Sequence, residues 1–296
     1  MSTVLKSQSA TSPTKRRKFT TLDFAKAKEK GEPIVMVTAY DSTSAKLAEL
    51  AGIEVILVGD SVAMVALGHP NTLPVTMAEM LHHAKAVSRG ARTPFLIGDL
   101  PFLSYHGSTH EAVLNAGLFL KEAGMDAVKL EGGVERAPAV RAIVEAGIPV
   151  MGHLGLTPQK VHQLGGFRQQ AKDATAARQL LDDALALQDA GCFSLVLESV
   201  PLEVAQRVTE RLSIPTIGIG AGPHCDGQVL VWHDLLGLDE DFLPPFAKAF
   251  RHLAHSVVSG LTEYGQEVKS RSFPGPEQSR SMAAEELKTF LEETSC

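Results

Sequence analysis

The chain has 296 residues, 44% of them hydrophobic, and carries 28 Lys and Arg against 34 Asp and Glu, a formal charge of −6. That length suffices for one large α/β core, the acidic balance without a basic stripe argues against nucleic acid as a partner, and no apolar run approaches the roughly 20 residues that span a bilayer. Three scattered cysteines, Cys192, Cys225 and Cys296, match neither a disulfide framework nor a zinc knuckle and fit a reducing compartment such as the cytoplasm.

Residues 1–18 are rich in Ser, Thr and Lys, with Lys15, Arg16, Arg17 and Lys18 in a row and no acid before Asp23. Both a mitochondrial transit segment and a disordered basic tail are open, and the weak amphipathic pattern favours the tail. From residue 19 to residue 264, eight apolar runs read as strands: 34–40, 55–59, 95–99, 127–131, 149–153, 194–198, 216–220 and 229–232. Their continuous Val, Ile and Leu character suits parallel strands covered on both faces. Helix-period segments alternate with them at 45–51, 77–88, 111–123, 137–145, 176–190 and 202–212. Eight βα units predict an α/β fold, a single (β/α)8 TIM barrel. Only a loop or a short 3₁₀ piece is expected between Gly220 and Val229. Pro244 and Pro245 open a last helix to about Tyr264, packed outside the barrel. Residues 265–296 read as a polar C-terminal extension with a short helix at 282–291.

Four of the strands end in acids: Asp60 in ILVGDS, Asp99 in FLIGDLP, Glu131 in AVKLEGG and Glu198 in LVLESVP. One acid after a strand is commonly a cap or turn former. Four at the carboxyl ends of barrel strands, where reactive groups gather, form a set. Asp60, Asp99 and Glu131 end neighbouring strands, so one must hold a proton or the group must hold a cation. No His or Cys cluster accompanies them, and oxygen donors with open positions suit Mg²⁺ or another hard divalent ion. Lys129, two residues before Glu131, shares its face and either pairs with an acid or meets a substrate carboxylate. Glu198 lies across the mouth, as a salt-bridge partner or as a general base. His153 either orients a ligand or proton or is structural. Ser61 either donates to a substrate oxygen or starts a helix. Gly218 to Gly222 is a weak phosphate-loop motif that turn geometry explains equally well, and His82 and His83 read as surface or packing residues.

Taken in order, TAYD (38–41), VGDS (58–61), LGHPNTLPVT (67–76), GDLPF (98–102), VKLEGG (128–133), GHLGLTPQ (152–159), LVLESVP (195–201) and IGIGAG (217–222) resemble the ketopantoate hydroxymethyltransferase family from about Phe19 to Tyr264. The resemblance implies a TIM barrel of the phosphoenolpyruvate/pyruvate-binding type, a homo-oligomer (often a decamer) and one Mg²⁺ per subunit. It implies 3-methyl-2-oxobutanoate as acceptor and 5,10-methylenetetrahydrofolate as the one-carbon donor, in an aldol-type reaction through an enolate toward pantothenate and coenzyme A. Carried over, Asp60 and Asp99 match metal ligands and Glu131 a ligand direct or through water. Asp60, Ser61, Asp99 and Lys129 match substrate contacts, and Glu198 matches the base. Two departures stand out: Ala63 and Ala171 occupy positions where the family writes glycine. Two rival readings keep the barrel. One is a lyase acting on another α-keto acid, although the loop with a catalytic cysteine usual there is missing. The other is an inert barrel retained for assembly, which has no use for four acids and a lysine at strand ends.

Overall fold

A computed structural model describes residues 16–239 and 242–295. Residues 1–15, most of the expected basic tail, and Cys296 lie outside them. Eight parallel strands close a barrel in sequence order: β1 (Ile34–Thr38), β2 (Val55–Val58), β3 (Phe95–Asp99), β4 (Ala127–Glu131), β5 (Val150–Gly155), β6 (Ser194–Glu198), β7 (Thr216–Ile219) and β8 (Gly227–Leu230). The helices are α1 (Thr21–Lys30), α2 (Ser42–Ala51), α3 (Val62–Val65), α4 (Met77–Gly90), α5 (Thr109–Lys121), α6 (Ala137–Glu145), α7 (Val161–Leu164), α8 (Ala174–Asp189), α9 (Leu202–Arg211), α10 (Trp232–Leu236), α11 (Leu253–Ser270) and α12 (Ala284–Glu293).

The helices begin where side chains can satisfy their free N–H groups. Asp41 accepts from Ser44 N at 2.7 Å, Asp173 accepts from Ala176 N at 2.9 Å, and Thr76 forms a reciprocal box with Glu79. The buried stripe of α4, Met80, Leu81, Ala84 and Val87, follows helical spacing and packs on the sheet's outer face. Alternate strand residues point inward: Met36, Leu57, Ile97, Met151, Val196 and Ile217 share one buried cluster inside the barrel. The same parity carries inward from Ile97 to Asp99, from Ala127 to Lys129 and Glu131, from Met151 to His153 and from Val196 to Glu198.

Three expectations need correction. The eighth strand lies at 227–230, two residues before the predicted run. Gly227 and Gln228 pair with Ile34 and Val35 of β1, and Trp232 already starts α10, its N–H donating to Thr38 Oγ1 at 2.9 Å. The last helix does not open at Pro244; residues 242–252 are irregular, and α11 begins at Leu253 and runs past residue 264 to Ser270. Nor does it pack on the barrel: none of its residues is buried. Finally, a helix the sequence pattern does not indicate, α1, precedes the barrel. Its Phe24 is fully buried at the amino-terminal end of the barrel, in edge contact with Phe19, Phe95 and Phe193 at centroid distances of 5.3, 5.4 and 5.0 Å. It is the plug beneath the interior. The end of the basic run is tied down beside it: Arg17 Nη1 donates to Asp23 at 2.7 Å, and Lys18 Nζ donates to Pro94 O at 2.7 Å and lies 2.6 Å from Asp126. No helix follows β7, as expected. No helix of the described residues is long and apolar enough to cross a membrane.

Candidate active site

At the carboxyl ends of the strands lies a cavity of about 870 Å³. Asp60, Ser61, Asp99, Lys129, Glu131, His153 and Glu198 all line it, so every residue singled out from the sequence for chemistry reaches one space. Register explains the convergence. Asp99 pairs with Lys129, Glu131 with His153 and Gly155 with Glu198, so one turn of the barrel sets these side chains side by side.

Lys129 is the hub. Its ammonium donates to Asp99 Oδ1 at 2.7 Å and stands 3.9 Å from Glu131 Oε1. Asp60 N donates to Asp99 Oδ2 at 3.1 Å, locking the ends of β2 and β3 together. A second cationic bridge runs through His153, whose Nδ1 is 3.3 Å from Glu131 Oε1 and whose Nε2 is 3.2 Å from Glu198 Oε2. Asp60, Asp99, Lys129, Glu131 and His153 are between 1% and 4% exposed. The Glu198 side chain, at 15%, is the more open acid.

Burial drives the Asp60 carboxyl well above its ordinary value, and the charges of Asp99 and Glu131 add to the rise. Burial also raises Asp99, against the pull of Lys129. For Glu131 burial acts upward too, but contact with His153 and the charge of Lys129 prevail, and it stays below the usual range. Burial and Lys129 both work to lower His153, yet Glu131 and Glu198 on its two nitrogens outweigh them and lift it to about 9. His153 is therefore a cation at neutral pH, placed between two acids.

Whether a hard cation fits can be judged from the donors. The three acids of the inner group offer only oxygen, and Glu131 Oε1 is buried without a well-aligned hydrogen bond despite its ion-pair contacts. Among the described residues, no three His, Cys, Asp or Glu side chains enclose an ion by themselves. A divalent ion held here would have to draw its other ligands from water or substrate, as Mg²⁺ commonly does. The donors fit.

Sequence reasoning missed two residues that tie the acids together. Gln159, in the turn after β5, donates through Nε2 to Asp60 Oδ2 at 2.9 Å and through its backbone N to Glu131 Oε2 at 3.1 Å. Tyr105, after β3, donates its hydroxyl to Gln159 Oε1 at 2.6 Å. The only sequence signal was position, since both lie in loops that follow acid-bearing or His-bearing strands. Tyr40 adds a smaller detail, its hydroxyl 2.8 Å from Ser61 Oγ.

The backbone is also shaped around Glu198. Ser199, the next residue, has φ 49°, a left-handed state costing a non-glycine residue about 1–2 kcal/mol. Its carbonyl accepts from Gln170 N at 2.9 Å, which ties the 165–171 loop to the end of β6. Gly155 faces the same turn: a Cβ there would strike the Glu198 carbonyl. Ala171 ends that loop at φ 54°, keeping a left-handed turn without the glycine that makes it easy. Ala63 sits fully buried in α3, so its methyl faces core rather than cavity. Within the GIGAG run, Gly220 has φ 62°, a left-handed turn that suits glycine, and a Cβ there would strike the Phe246 ring; its backbone lines the cavity. His83 Nδ1 lies 2.7 Å from Tyr40 O, while His82 is exposed.

Comparison with known proteins agrees with the motifs. The family described as ketopantoate hydroxymethyltransferase matches residues 18–276. The 3-methyl-2-oxobutanoate hydroxymethyltransferase of Chloroflexus aggregans is 57% identical over 269 residues, 91% of this chain and 96% of its own. That of Syntrophobacter fumaroxidans is 58% identical over 252 residues, 85% of this chain and 89% of its own. Among solved structures, phosphonopyruvate hydrolase in complex with oxalate and Mg⁺⁺ superposes with a TM-score of 0.58 at 13% identity, over 93% of this chain and 98% of that one. A 2,3-dimethylmalate lyase, described as a PEP mutase/isocitrate lyase superfamily member, gives 0.56 at 19% identity, over 93% and 95%. At such identities the structures speak for the barrel alone.

Proposed function

The chain belongs to the ketopantoate hydroxymethyltransferase family, and we propose that its strand-end cavity binds one Mg²⁺ with the keto acid, 5,10-methylenetetrahydrofolate supplying the carbon. The reaction transfers a hydroxymethyl group to 3-methyl-2-oxobutanoate to give 2-dehydropantoate (ketopantoate), on the way to pantothenate. The observation that carries the mechanism is the division of the acids. Three surround one buried lysine, and the fourth stands apart from them, beyond His153.

Asp60 and Asp99 would hold the ion, with Glu131 a ligand directly or through water. Mg²⁺, when bound, supplies a Lewis acid that polarises the keto acid and offsets the charge that develops as C3 loses its proton. Lys129 is held by Asp99 at 2.7 Å and provides the fixed positive charge for the substrate carboxylate. Ser61, its hydroxyl engaged with Tyr40, donates to a substrate oxygen. Glu198 takes the C3 proton. The cationic His153, 3.2 Å from Glu198 and 3.3 Å from Glu131, sets a positive charge between the base and the inner acids. Water opens the methylene bridge of the folate, breaking its two C–N bonds and freeing tetrahydrofolate. The C3 nucleophile attacks the formaldehyde-level carbon so released, whose oxygen takes a proton and becomes the product hydroxyl. The cavity of about 870 Å³ lies in the range that accepts drug-sized ligands, about 300–1,000 Å³, so a five-carbon acid leaves room for a pterin. The chemistry falls within residues 19–264, with residues 1–18 and 265–296 as flanking segments in a cytoplasmic protein.

We also read the molecule as a homo-oligomer, because α11 leaves Val257, Val258, Leu261 and Tyr264 at 51%, 61%, 65% and 57% exposure, an apolar face that one chain does not cover. The direct test is consumption of 3-methyl-2-oxobutanoate with and without folate and Mg²⁺, on protein whose mass is measured by sedimentation. Turnover without folate sinks the transferase mechanism, and a monomer at working concentration sinks the assembly.

The pKa directions add a prediction for metal removal. Above about pH 5 carboxylates of the unfolded chain are ionised, while Asp60 and Asp99 have raised values in the fold. The folded state then binds more protons, so their contribution to stability falls as pH rises. His153 acts in the same sense from its unfolded value of about 6.5 to its folded value of about 9. Mg²⁺ binds the ionised acids and opposes this loss. The increase in thermal midpoint produced by Mg²⁺ over EDTA should therefore grow with pH in calorimetric scans. An increase that shrinks with pH contradicts the assignment.

A further inference from the structure

We propose that Gln159, locked in place by Tyr105, is a positioning residue that presets the Asp60 and Glu131 carboxylates for the divalent ion. The inference rests on the Mg²⁺ reading above. Gln159 is 3% exposed and Tyr105 1%, and the bonds of Gln159 run to both sides of the acid group. Its Nε2 donates to Asp60 Oδ2 at 2.9 Å and to Leu100 O at 3.0 Å, using both amide hydrogens. Its backbone N donates to Glu131 Oε2 at 3.1 Å. One residue thus holds an oxygen of the acid after β2 and an oxygen of the acid ending β4, spanning the Asp99 strand between them.

The orientation of the amide is itself determined. Gln159 Oε1 accepts from the Tyr105 hydroxyl at 2.6 Å, and the Tyr105 oxygen in turn accepts from Glu131 N at 3.2 Å. Reversing the amide would aim its carbonyl at Asp60 Oδ2 and Leu100 O, two acceptors, and leave both without a donor in a buried setting. The loop from Glu131 N to Tyr105 to Gln159 and back to Glu131 Oε2 is closed. Partners that fix the rotamer of a metal-binding carboxylate usually govern affinity, and their removal costs about 10- to 100-fold. The side chain does more than fill space: a leucine of similar size would pack there and keep the backbone N–H on Glu131, but would leave Asp60 without the amide that orients it.

Two variants test this, Gln159→Leu, which keeps bulk and removes the amide, and Tyr105→Phe, which keeps the ring and removes only the hydroxyl. The probe is MgCl₂, titrated calorimetrically with 3-methyl-2-oxobutanoate present, alongside C3 deuterium exchange by NMR and thermal midpoints in EDTA. Gln159→Leu should weaken Mg²⁺ binding about 10- to 100-fold and Tyr105→Phe by a smaller factor. In both, exchange should fall at limiting Mg²⁺ and recover at excess Mg²⁺, a response that a packing defect does not produce. If Gln159→Leu does not fold, Tyr105→Phe alone decides. Mg²⁺ affinity within twofold of the wild type in the folded variants, with or without a lowered midpoint, overturns the inference and leaves the Mg²⁺ reading intact. A wild type that binds no Mg²⁺ in the same titration removes that reading and the inference with it.

Discussion

Replacing Glu198 by glutamine is expected to slow exchange of the C3 proton of 3-methyl-2-oxobutanoate about 10²- to 10⁴-fold, the usual value of a positioned general base. Binding of the keto acid and Mg²⁺ should survive within a few fold. The separation follows from geometry. Glu198 touches the inner group only through His153, at 3.2 Å, whereas Asp60, Asp99 and Glu131 are tied to one another through Lys129 and Gln159. An amide at position 198 keeps the size and can still meet the imidazole, so the change removes the proton acceptor together with one of the two acids that lift His153. His153 keeps Glu131 on its other nitrogen, 3.3 Å away, and so remains anchored. Deuterium exchange followed by NMR, with calorimetry of the Mg²⁺ and keto acid pair, reads both halves. Exchange at the wild-type rate would end the assignment of Glu198 as base, and loss of binding would move it into the ion-holding group.

What the sequence reveals and what it hides divide along a physical line. The strands of the barrel interior were legible because parallel strands buried on both faces need apolar residues in succession, and the acids were legible because they follow those strands directly. Parity did the rest: Lys129 and Glu131 had to share a face, and they do. The eighth strand was misplaced because its ladder to β1 uses Gly227 and Gln228, which have no strand character of their own. Helix α1 was missed although Thr20 and Asp23 form its start, with Asp23 Oδ2 accepting from Thr20 N at 2.9 Å, because mostly polar segments do not stand out by hydrophobic period alone. The register of α11 misled for the opposite reason. Its apolar stripe looks like a barrel-packing face, but the chain beneath is irregular and the stripe meets solvent in the single chain. Gln159 and Tyr105 were invisible for a third reason. Neither residue type announces chemistry, and their bonds join loops that are 54 positions apart.

The second large effect concerns Lys129, where methionine should both destabilise the fold and depress catalysis. Met matches the length of the aliphatic stem and removes the ammonium, both its charge and its hydrogen bond to Asp99. Asp99 would lose its 2.7 Å donor, and three acids buried to 4% exposure or less would face one another with His153 as the nearest cation. Removing one partner of a buried ion pair costs about 3–5 kcal/mol, less whatever the acids recover by taking up protons. In EDTA the variant should therefore melt well below the wild type. Added Mg²⁺ should raise its midpoint by more than it raises that of the wild type, because the ion would supply positive charge to acids that have lost their ammonium. Activity should not return with the fold. The substrate carboxylate would still lack its fixed partner, and kcat/KM should stay about 10²- to 10³-fold down, the scale for losing one side of a buried charged contact. Calorimetry in EDTA and in Mg²⁺, with steady-state kinetics at saturating Mg²⁺, separates these arms. A variant that melts with the wild type in EDTA would mean that the acids do not need Lys129 to coexist, and kinetics restored by Mg²⁺ would mean that the substrate does not use it.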